Sequence, residues 1–358
     1  YVTNHGIFEY VDEGHAAYTY DKNMLYHNNR DGTFTDVTSR AGVSGVSNCG
    51  LKPIASQEIS SINGGLKRSF QSVWFDYNND GYADLFVSTD QGVSPLYRNN
   101  TNGTFTEATR QAGMCQIRSN MGVAVGDFNE DGYVDLYITN GEPNNLWRNN
   151  GDGTFTDVAA ETGTGDVNVT GWGTAFFDYD NDGLTDLYVV NGVKVEAGIY
   201  TGITPDRLYR NNGDDTYTDV ASSTGITGDD GKEKLALGDF DNNGYVDAIV
   251  GTATFEEKDE SRLYMNRGSG NNWLTVRLVG TKANRNGIGS VITMTIGDKK
   301  QSRVVTAGES FQSEHSLWQS FGLGASTKVD TIEIRWPGNA VQILKGVTAN
   351  QILTIEQE

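Results

Sequence analysis

The chain is poor in the residues that mark small disulfide-rich folds, membrane spans and nucleic-acid surfaces. Its 358 residues include two cysteines and five prolines, too few cysteines for a disulfide scaffold. No apolar run approaches the roughly 20 residues of a membrane-spanning helix, so no transmembrane segment is predicted. Bases are scarce, since 27 Lys and Arg stand against 47 Asp and Glu for a net charge of −20. This charge argues against nucleic acid as a partner.

The acidic charge is confined to the front of the chain. Residues 272–358 hold nine bases and seven acids, a net charge of +2, and the remainder carries −22. Gly, Ser and Asn cluster at 268–271, between the two regions, as they do in linkers. The sequence therefore predicts two domains, at 1–270 and 271–358.

The front region is repetitive. The segment FDYNNDGYADL at 75–85 recurs at shifts of 51, 51 and 61 residues, with its first aspartate at 76, 127, 178 and 239. Each copy is followed by a segment such as LYRNN (96–100), then Gly, Thr, an aromatic residue and Thr. Turn residues and short apolar runs predict four antiparallel strands per repeat, as at 122–127, 135–140, 145–148 and 154–158. Such repeats are typical of propeller blades.

The repeats at the two ends are incomplete. Residues 1–4 align with the middle of a later repeat, so the first repeat lacks an inner strand, and the last one has decayed after 263–266. An unpaired edge invites another strand. We therefore expect either upstream sequence or a strand from a neighbouring molecule, which would allow self-association.

Each repeat carries a loop of the form Asp-x-(Asp/Asn)-x-(Asp/Asn)-Gly-x-x-Asp. Side chains at positions 1, 3, 5 and 9 and the backbone oxygen at position 7 are predicted metal ligands, because hard oxygen donors in this number suit Ca²⁺ better than Mg²⁺. The predicted ligands are Asp76, Asn78, Asp80, Tyr82, Asp84, Asp127, Asn129, Asp131, Tyr133, Asp135, Asp178, Asp180, Asp182, Leu184, Asp186, Asp239, Asp241, Asn243, Tyr245 and Asp247.

Charge repulsion favours an ion over empty Asx turns, which are the alternative. Two carboxylates about 4 Å apart repel by roughly 4 kcal/mol at an effective dielectric constant of about 20, and each loop has three or four. We expect about four structural Ca²⁺ ions, whose binding is part of the folding free energy. Sites of this kind suit the extracellular space, where calcium is abundant.

The two cysteines lie in connections between repeats. Cys49 and Cys115 follow equivalent Ala-Gly pairs by six and two residues. Adjacent connections on one face can bring them together in a disulfide, which fits an extracellular protein, and two buried free thiols are the alternative.

The tail alternates apolar and polar residues and predicts a β-sandwich without a catalytic constellation. Its only histidine, His315, is expected in a solvated loop.

Strand order places the long insertions on one face. The acidic loops and the Asn-Asn turns join strands 1–2 and 3–4, so both lie on one side, and the insertions at 5–24, 43–70, 192–207 and 252–262 lie on the other. Variable loops on a constant scaffold are where binding resides. The first insertion offers Tyr10, His15, Tyr18 and Tyr20 as ligand-binding candidates. Aromatic faces beside acids suit a sugar or a protein, or else these aromatics pack within the insertion.

The motifs also carry a family resemblance. The four loops resemble FG-GAP or VCBS repeats, the calcium-bearing blades of integrin alpha subunits. Segments at 272–278, 286–289, 321–324 and 334–338 resemble the ASPIC/UnbV domain. Together they resemble the cartilage acidic protein 1 family and its bacterial relatives. The resemblance implies a secreted or surface calcium-binding propeller for adhesion or recognition, one part of a ring expected to have seven blades.

Three functions are open on the sequence. The first is a recognition scaffold for an extracellular glycan or protein, without catalysis. The second is a structural subunit of a fibre or surface layer. The third is a carbohydrate-active enzyme, for which His15 with Glu9 or Glu196 is the available acid–base pairing.

Overall fold

The chain is built of β-strands and one-turn helices in the computed structural model, which describes residues 7–12, 15–19, 23–44, 47–51, 68–141, 143–167, 169–196, 199–228, 231–251 and 261–358. Its first strands form two antiparallel pairs, β1 (Ile7–Asp12) with β2 (His15–Thr19) and β3 (Tyr26–Asn28) with β4 (Phe34–Asp36). The β3–β4 pair corresponds to the last two strands of a repeat.

Three four-stranded antiparallel sheets follow, one per complete repeat. In sheet order, sheet 1 contains β5 (Arg68–Phe75), β6 (Asp84–Asp90), β7 (Leu96–Asn99) and β8 (Phe105–Glu107). Sheet 2 contains β9 (Asn120–Gly126), β10 (Asp135–Asn140), β11 (Asn145–Asn149) and β12 (Phe155–Asp157). Sheet 3 contains β13 (Gly171–Phe177), β14 (Asp186–Asn191), β17 (Arg207–Asn211) and β18 (Tyr217–Asp219). A separate hairpin of β15 (Val193–Glu196) and β16 (Ile199–Ile203) lies between β14 and β17 in the chain.

Sheet 4 has three strands among the described residues, β19 (Lys234–Gly238), β20 (Asp247–Gly251) and β21 (Arg262–Tyr264). One-turn helices follow the last strand of several repeats, namely α1 (Thr38–Ala41), α2 (Ala159–Thr162) and α3 (Ala221–Thr224). Each ends at a glycine in the left-handed region, for example Gly163 with φ of 83°. A glycine there ends a helix without the strain that a Cβ would cause.

The hydrophobic core of the repeats lies between successive sheets. Phe75 and Phe86 of sheet 1 pack in one cluster with Val123 and Leu136 of sheet 2. Equivalent clusters join sheet 2 to sheet 3 and sheet 3 to sheet 4. The first strands also contact one another in sequence, β5 with β9, β9 with β13 and β13 with β19. Strands such as β6 and β10 are therefore buried on both faces.

The tail contains two sheets that share one core. One has the strand order β25 (Gln319–Gly324), β22 (Asn272–Val279), β28 (Gln351–Glu356). The other has the order β24 (Lys299–Val304), β23 (Val291–Ile296), β26 (Lys328–Arg335), β27 (Val341–Thr348). Apolar side chains of both sheets form a single buried cluster, as in a β-sandwich. The last strand, β28, pairs in parallel with the first, β22, which ties the two ends of the tail together.

One tail segment, residues 305–318, runs across the first strands of the repeat sheets, and we call it the crossing segment. The side-chain amide of Gln71 in β5 donates to the backbone oxygen of Gly308. Ser310 forms two backbone hydrogen bonds with Val123 of β9, at 2.7 and 3.2 Å. Any other residue in place of Gly308 would push the crossing segment away from β5, since its Cβ would lie 2.4 Å from a backbone oxygen of that strand.

His315, in the same segment, is a packed residue, so the prediction of a solvated loop histidine is wrong. Its Nδ1 accepts a hydrogen bond from the backbone N–H of Leu237 at 3.2 Å. Its Nε2 lies 3.2 Å from the backbone oxygen of Thr174, so the neutral tautomer with a proton on Nε2 satisfies both contacts. Burial lowers the pKa of His315 to about 4, which keeps the ring neutral.

The predicted all-β class and the four-stranded antiparallel sheets are confirmed. The strands predicted for the second complete repeat differ from the observed ones by one or two residues at their ends. The division at residue 270 remains a prediction. Among the described residues, no helix has the length and apolar character needed to cross a membrane.

Candidate metal centres

Each acidic loop joins the first and second strands of a sheet through two residues with positive φ. We number these loops 1 (76–84), 2 (127–135), 3 (178–186) and 4 (239–247). In loop 3, Asn181 has φ of 57° and Gly183 has φ of 96°. The other loops repeat this pair at positions 4 and 6. The left-handed residues turn the chain sharply, so that the polar side chains converge.

The first aspartate of each loop accepts hydrogen bonds from the loop backbone. In loop 3, Asp178 Oδ1 accepts from the N–H of Asp182 at 3.1 Å and Oδ2 accepts from Gly183 at 2.8 Å. The equivalent aspartates Asp76, Asp127 and Asp239 accept from the same two positions in their own loops. These bonds fix the orientation of the carboxylate before any ion binds.

The last aspartate of each loop is fixed by the neighbouring strands. Asp135 Oδ2 accepts from the N–H of Phe128 at 3.1 Å, and Oδ1 accepts from the N–H of Asn149 at 2.8 Å. Asp84, Asp186 and Asp247 have the same pair of partners in their own sheets. The position-9 carboxylate is therefore buried at the junction of loop and sheet.

Aspartate oxygens converge closely in loops 3 and 4. Asp178, Asp180 and Asp186 each offer an oxygen, all within 4.8 Å of one another, and Asp239, Asp241 and Asp247 do the same. Both triads can therefore hold a metal ion. Loops 1 and 2 have an asparagine at position 3, whose amide donates to the position-5 aspartate, at 3.0 Å from Asn78 to Asp80 and 2.9 Å from Asn129 to Asp131.

Burial makes the charged form of these carboxyl groups costly. It raises the pKa of Asp84, Asp127 and Asp178 to about 7. It raises the pKa of Asp135 and Asp186 well above the ordinary value. Neighbouring carboxylates of the same loop add to the effect. A divalent cation would offset both causes, since it supplies positive charge and replaces water as the partner of the oxygens.

The residues predicted to supply backbone oxygens have a second role in packing. The N–H groups of Tyr82, Tyr133, Leu184 and Tyr245 donate to the position-5 side chain. The ring of Tyr133 also lies beneath the Asn-Asn turn, so close that a Cβ added to Gly151 would be 2.8 Å from a ring carbon. The acidic loops and the Asn-Asn turns therefore share one side of each sheet, as the strand order predicts.

Arginines partly balance the charge of two loops. Arg210 of β17 contacts Asp180 at 3.2 Å and Asp182 at 2.9 Å. Arg335 of the tail lies 3.5 Å from Asp76. Both arginines are partly exposed, so these pairs add little stability. Neither arginine is a proposed metal ligand.

The tail packs directly on the acidic loops. A Cβ added to Gly81 of loop 1 would overlap the side chain of Asn339. A Cβ added to Gly244 of loop 4 would overlap the ring of Trp273. The N–H of Gly324 donates to the backbone oxygen of Asn181 in loop 3 at 2.9 Å. The acidic-loop side of the repeats is therefore the side that the tail covers.

An asparagine that sequence reasoning did not single out joins neighbouring sheets. Asn149, the first asparagine of the turn in sheet 2, donates its amide to the backbone oxygen of Tyr77 in loop 1 at 2.7 Å. Asn211 donates to Phe128 in loop 2, and Asn266 to Tyr179 in loop 3. This asparagine recurs in every repeat, and that recurrence is the sequence feature from which its role could have been predicted.

Cys49 and Cys115 form a disulfide, with Cα atoms 5.7 Å apart. Cys49 follows α1 and Cys115 follows β8, so the bridge joins the connections on either side of sheet 1. Arg110 strengthens the same junction by donating to the backbone oxygen of Asn48 at 3.2 Å.

Of the predicted ligand-face residues, Tyr10 and Tyr18 lie in β1 and β2, where the backbone register pairs Tyr10 with Ala16 and Tyr18 with Phe8. His15 is paired with Asp12. Tyr20 lies outside the described residues. Hairpins β1–β2 and β15–β16 form part of two predicted insertions, and β15–β16 joins the second and third strands of sheet 3.

Two family descriptions match the chain. An FG-GAP-like repeat matches residues 76–138 and 127–189, and ASPIC and UnbV matches residues 280–358. Cartilage acidic protein 1 of Xenopus tropicalis is 26% identical over 271 residues, which cover 74% of this chain and 41% of that protein. The human protein is 25% identical over 265 residues, covering 71% of this chain and 39% of that protein. The chain therefore spans about two fifths of the length of these relatives.

Two solved structures of low sequence identity are also similar to parts of this chain. An Agrocybe aegerita lectin, described by its recognition of non-reducing terminal N-acetylglucosamine, has a TM-score of 0.34 and 17% identity, covering 74% of this chain and 66% of the lectin. The V. cholerae biofilm matrix protein Bap1 has a TM-score of 0.33 and 11% identity, covering 79% and 60%. The family matches confirm the predicted resemblance: the chain combines FG-GAP-like repeats with an ASPIC and UnbV domain and is distantly similar to cartilage acidic protein 1.

Proposed function

We propose that the chain is a calcium-stabilised extracellular scaffold for recognition or adhesion. The observation that carries the proposal is the convergence of three aspartate carboxylates within 4.8 Å in two successive acidic loops. Hard oxygen donors at this density suit Ca²⁺. The same spacing of Asp and Asn side chains in loops 1 and 2 extends the proposal to about four structural ions.

The sheets are proposed to be blades of a propeller. Their first strands contact one another in order, and their cores lie between successive sheets. FG-GAP-like repeats are blades in propellers, and a ring of seven would need more blades than this chain supplies. Calcium would then stabilise the ring from one side, through loops that connect the first two strands of each blade.

The face opposite the acidic loops is the proposed binding surface. The tail covers the acidic-loop side, as the contacts of Asn339 and Trp273 with loops 1 and 4 indicate. Insertions such as β15–β16 leave from the other end of the strands. We propose an extracellular glycan or protein as the partner on that face. The disulfide between Cys49 and Cys115 supports an extracellular location.

Binding rather than catalysis is proposed for this face. The enzyme hypothesis needs an acid and a base held together, and His15 with Glu9 or Glu196 was the available pair. The backbone register pairs His15 with Asp12 and Glu9 with Ala17. Glu196 lies in a different hairpin, opposite Ile199. These positions give no support to a shared acid–base site.

A structural subunit of a fibre or surface layer is the second candidate. It is favoured by apolar side chains on the last repeat sheet, where Leu263 is 52% exposed and Met265 is 42% exposed. At the other end, the described part of the first repeat contains the β3–β4 pair, whose Phe34 is 63% exposed. An unpaired sheet edge would accept strands from other molecules. Polymers seen by electron microscopy in calcium would favour this candidate.

A binding experiment on the insertion face tests the proposal. The chain is applied to glycan and extracellular-matrix protein arrays in millimolar calcium and in chelator. We expect calcium-dependent binding that is lost when residues 193–203 are replaced by a short Gly-Ser linker. A control variant with Val341 and Ile343 changed to serine alters the exposed strand β27 and should bind normally. Absence of binding by the folded, calcium-loaded chain, or a linker variant that still binds every array ligand of the wild type, contradicts the proposal.

A further inference from the structure

A cavity of about 460 Å³ lies where the tail meets sheets 2, 3 and 4. Its walls include side chains of the crossing segment and of loop 4, so it is on the acidic-loop side, away from the insertions. This volume is in the range of small-molecule binding sites, about 300–1,000 Å³. The cavity is independent of the binding face proposed above.

Two carboxyl groups of the crossing segment line the cavity. Glu309 Oε1 accepts from the backbone N–H of Val125 at 3.2 Å. Glu314 Oε2 accepts from the N–H of Gly308 at 2.9 Å. A carboxyl group has about four lone-pair sites, so each can accept further hydrogen bonds from a ligand. The backbone contacts hold both groups in fixed positions, which lowers the entropy cost of binding.

A buried guanidinium nitrogen in the same wall has no partner. Arg303 lines the cavity, and its Nη1 donates to the backbone oxygen of Ser302 at 3.0 Å. Its Nη2 is buried and makes no hydrogen bond among the described residues. A buried donor without a partner costs about 1–3 kcal/mol. Arg303 also lowers the pKa of Asp127 and Asp178, so its charge is directed at the acidic loops.

Two aromatic rings at the cavity are unusually exposed. Trp318 is 39% exposed and Phe240 is 53% exposed, and both line the cavity. The guanidinium of Arg277 lies 5.6 Å from the centre of the Trp318 ring, which holds that ring in place. Exposed aromatic rings offer a flat apolar surface beside polar groups.

We propose that this cavity binds a neutral sugar unit. Sugar hydroxyls both donate and accept, so they can donate to Glu314 and exchange hydrogen bonds with the Glu309 carboxyl group, whose pKa burial raises to about 8. The C–H face of the ring suits Trp318 and Phe240. A phosphate or sulfate is disfavoured, because three carboxyl groups line the site, those of Asp239, Glu309 and Glu314. His315 takes no part as a metal ligand or proton carrier, because the backbone occupies both of its ring nitrogens.

The test uses methyl glycosides of glucose, galactose, mannose and N-acetylglucosamine with the full chain in millimolar calcium. Saturation-transfer difference NMR detects binding and isothermal titration calorimetry measures its strength. We expect at least one glycoside to bind, and expect Trp318→Ala and Glu314→Gln each to weaken it about tenfold or more. Tyr26→Ala is the matched control, since Tyr26 is 41% exposed and lies in β3, outside the cavity.

The melting temperature of each variant checks its fold. Glu314→Gln preserves the size of the side chain, so it keeps the test decisive if Trp318→Ala does not fold. The proposal is overturned if none of the four glycosides binds to the folded wild type, or if the folded variants bind as tightly as the Tyr26 control. The linker variant at 193–203 should retain this binding, which separates the cavity from the insertion face.

Discussion

Calcium is expected to stabilise the chain more strongly at pH 8 than at pH 5. Burial raises the pKa of Asp84, Asp127 and Asp178 to about 7, from 3.8 in the unfolded chain. A carboxyl whose pKa is raised on folding favours the folded state fully only below the unfolded pKa, and that contribution is lost as the pH rises through the folded pKa. The calcium-free chain therefore loses stability between pH 5 and pH 8.

The size of the loss follows from the pKa values. A shift of about three pH units corresponds to about 4 kcal/mol for each carboxyl, of which nearly 3 kcal/mol is lost between pH 5 and pH 8. Asp84, Asp127 and Asp178 are buried and lie in three different loops, so their effects add approximately. The sum is about 8 kcal/mol, which lowers the melting temperature by about 10 °C for a chain of this length.

Calcium should reverse this dependence, because the ion binds the ionised carboxylates. A site filled at about 100 times its dissociation constant contributes about 2.7 kcal/mol. Differential scanning calorimetry at pH 5 and pH 8, with calcium or with chelator, measures the four melting temperatures. Asp127→Asn should reduce the pH-dependent loss by roughly 3 kcal/mol, whereas Asp152→Asn, in an exposed turn of the same repeat, should not change it. Equal calcium effects at both pH values, or an unchanged melting temperature in chelator, would refute the reasoning.

Two further predictions concern links between sheets. Changing Cys49 and Cys115 to serine should lower the free energy of unfolding by about 4 kcal/mol, because the bridge closes a loop of 66 residues. Urea titration of the oxidised protein and of the double variant measures this difference. Equal urea midpoints would contradict the prediction. Asn149→Ala should lower the free energy of unfolding by about 2 kcal/mol, because it leaves the Tyr77 carbonyl without its side-chain donor. Asn150→Ala, at the exposed next position, should lower it much less. Similar losses in the two variants would contradict the proposed link.

The repeat sheets could be predicted from the sequence because their signals are local. Turn residues, short apolar runs and a fixed repeat length define four strands at a time. The acidic loops could be predicted for the same reason, since all side chains of one loop lie within nine residues. Exact strand ends were less accurate: β9 begins at Asn120 rather than at Gly122.

The features that were missed depend on contacts between distant residues. His315 stands in a polar stretch that is typical of a loop, and its burial arises from β13 and β19, more than 70 residues away in sequence. The parallel pairing of β28 with β22 and the cavity beside Trp318 also join separate parts of the chain. The one-turn helices were overlooked because four residues are too few to display helical periodicity.

The crossing segment has a consequence for biosynthesis. It reaches back to β5 across 237 residues, to β9 across 184 and to β13 across 136. A ribosome releases the repeats well before this segment, so the nascent sheets emerge without one of their partners. Such long sequence separations also slow folding. Chains cut short by a premature stop codon or by early cleavage would keep the cores between their sheets but lack the segment that crosses the first strands. The first strands left uncovered would make such chains substrates for quality-control proteases.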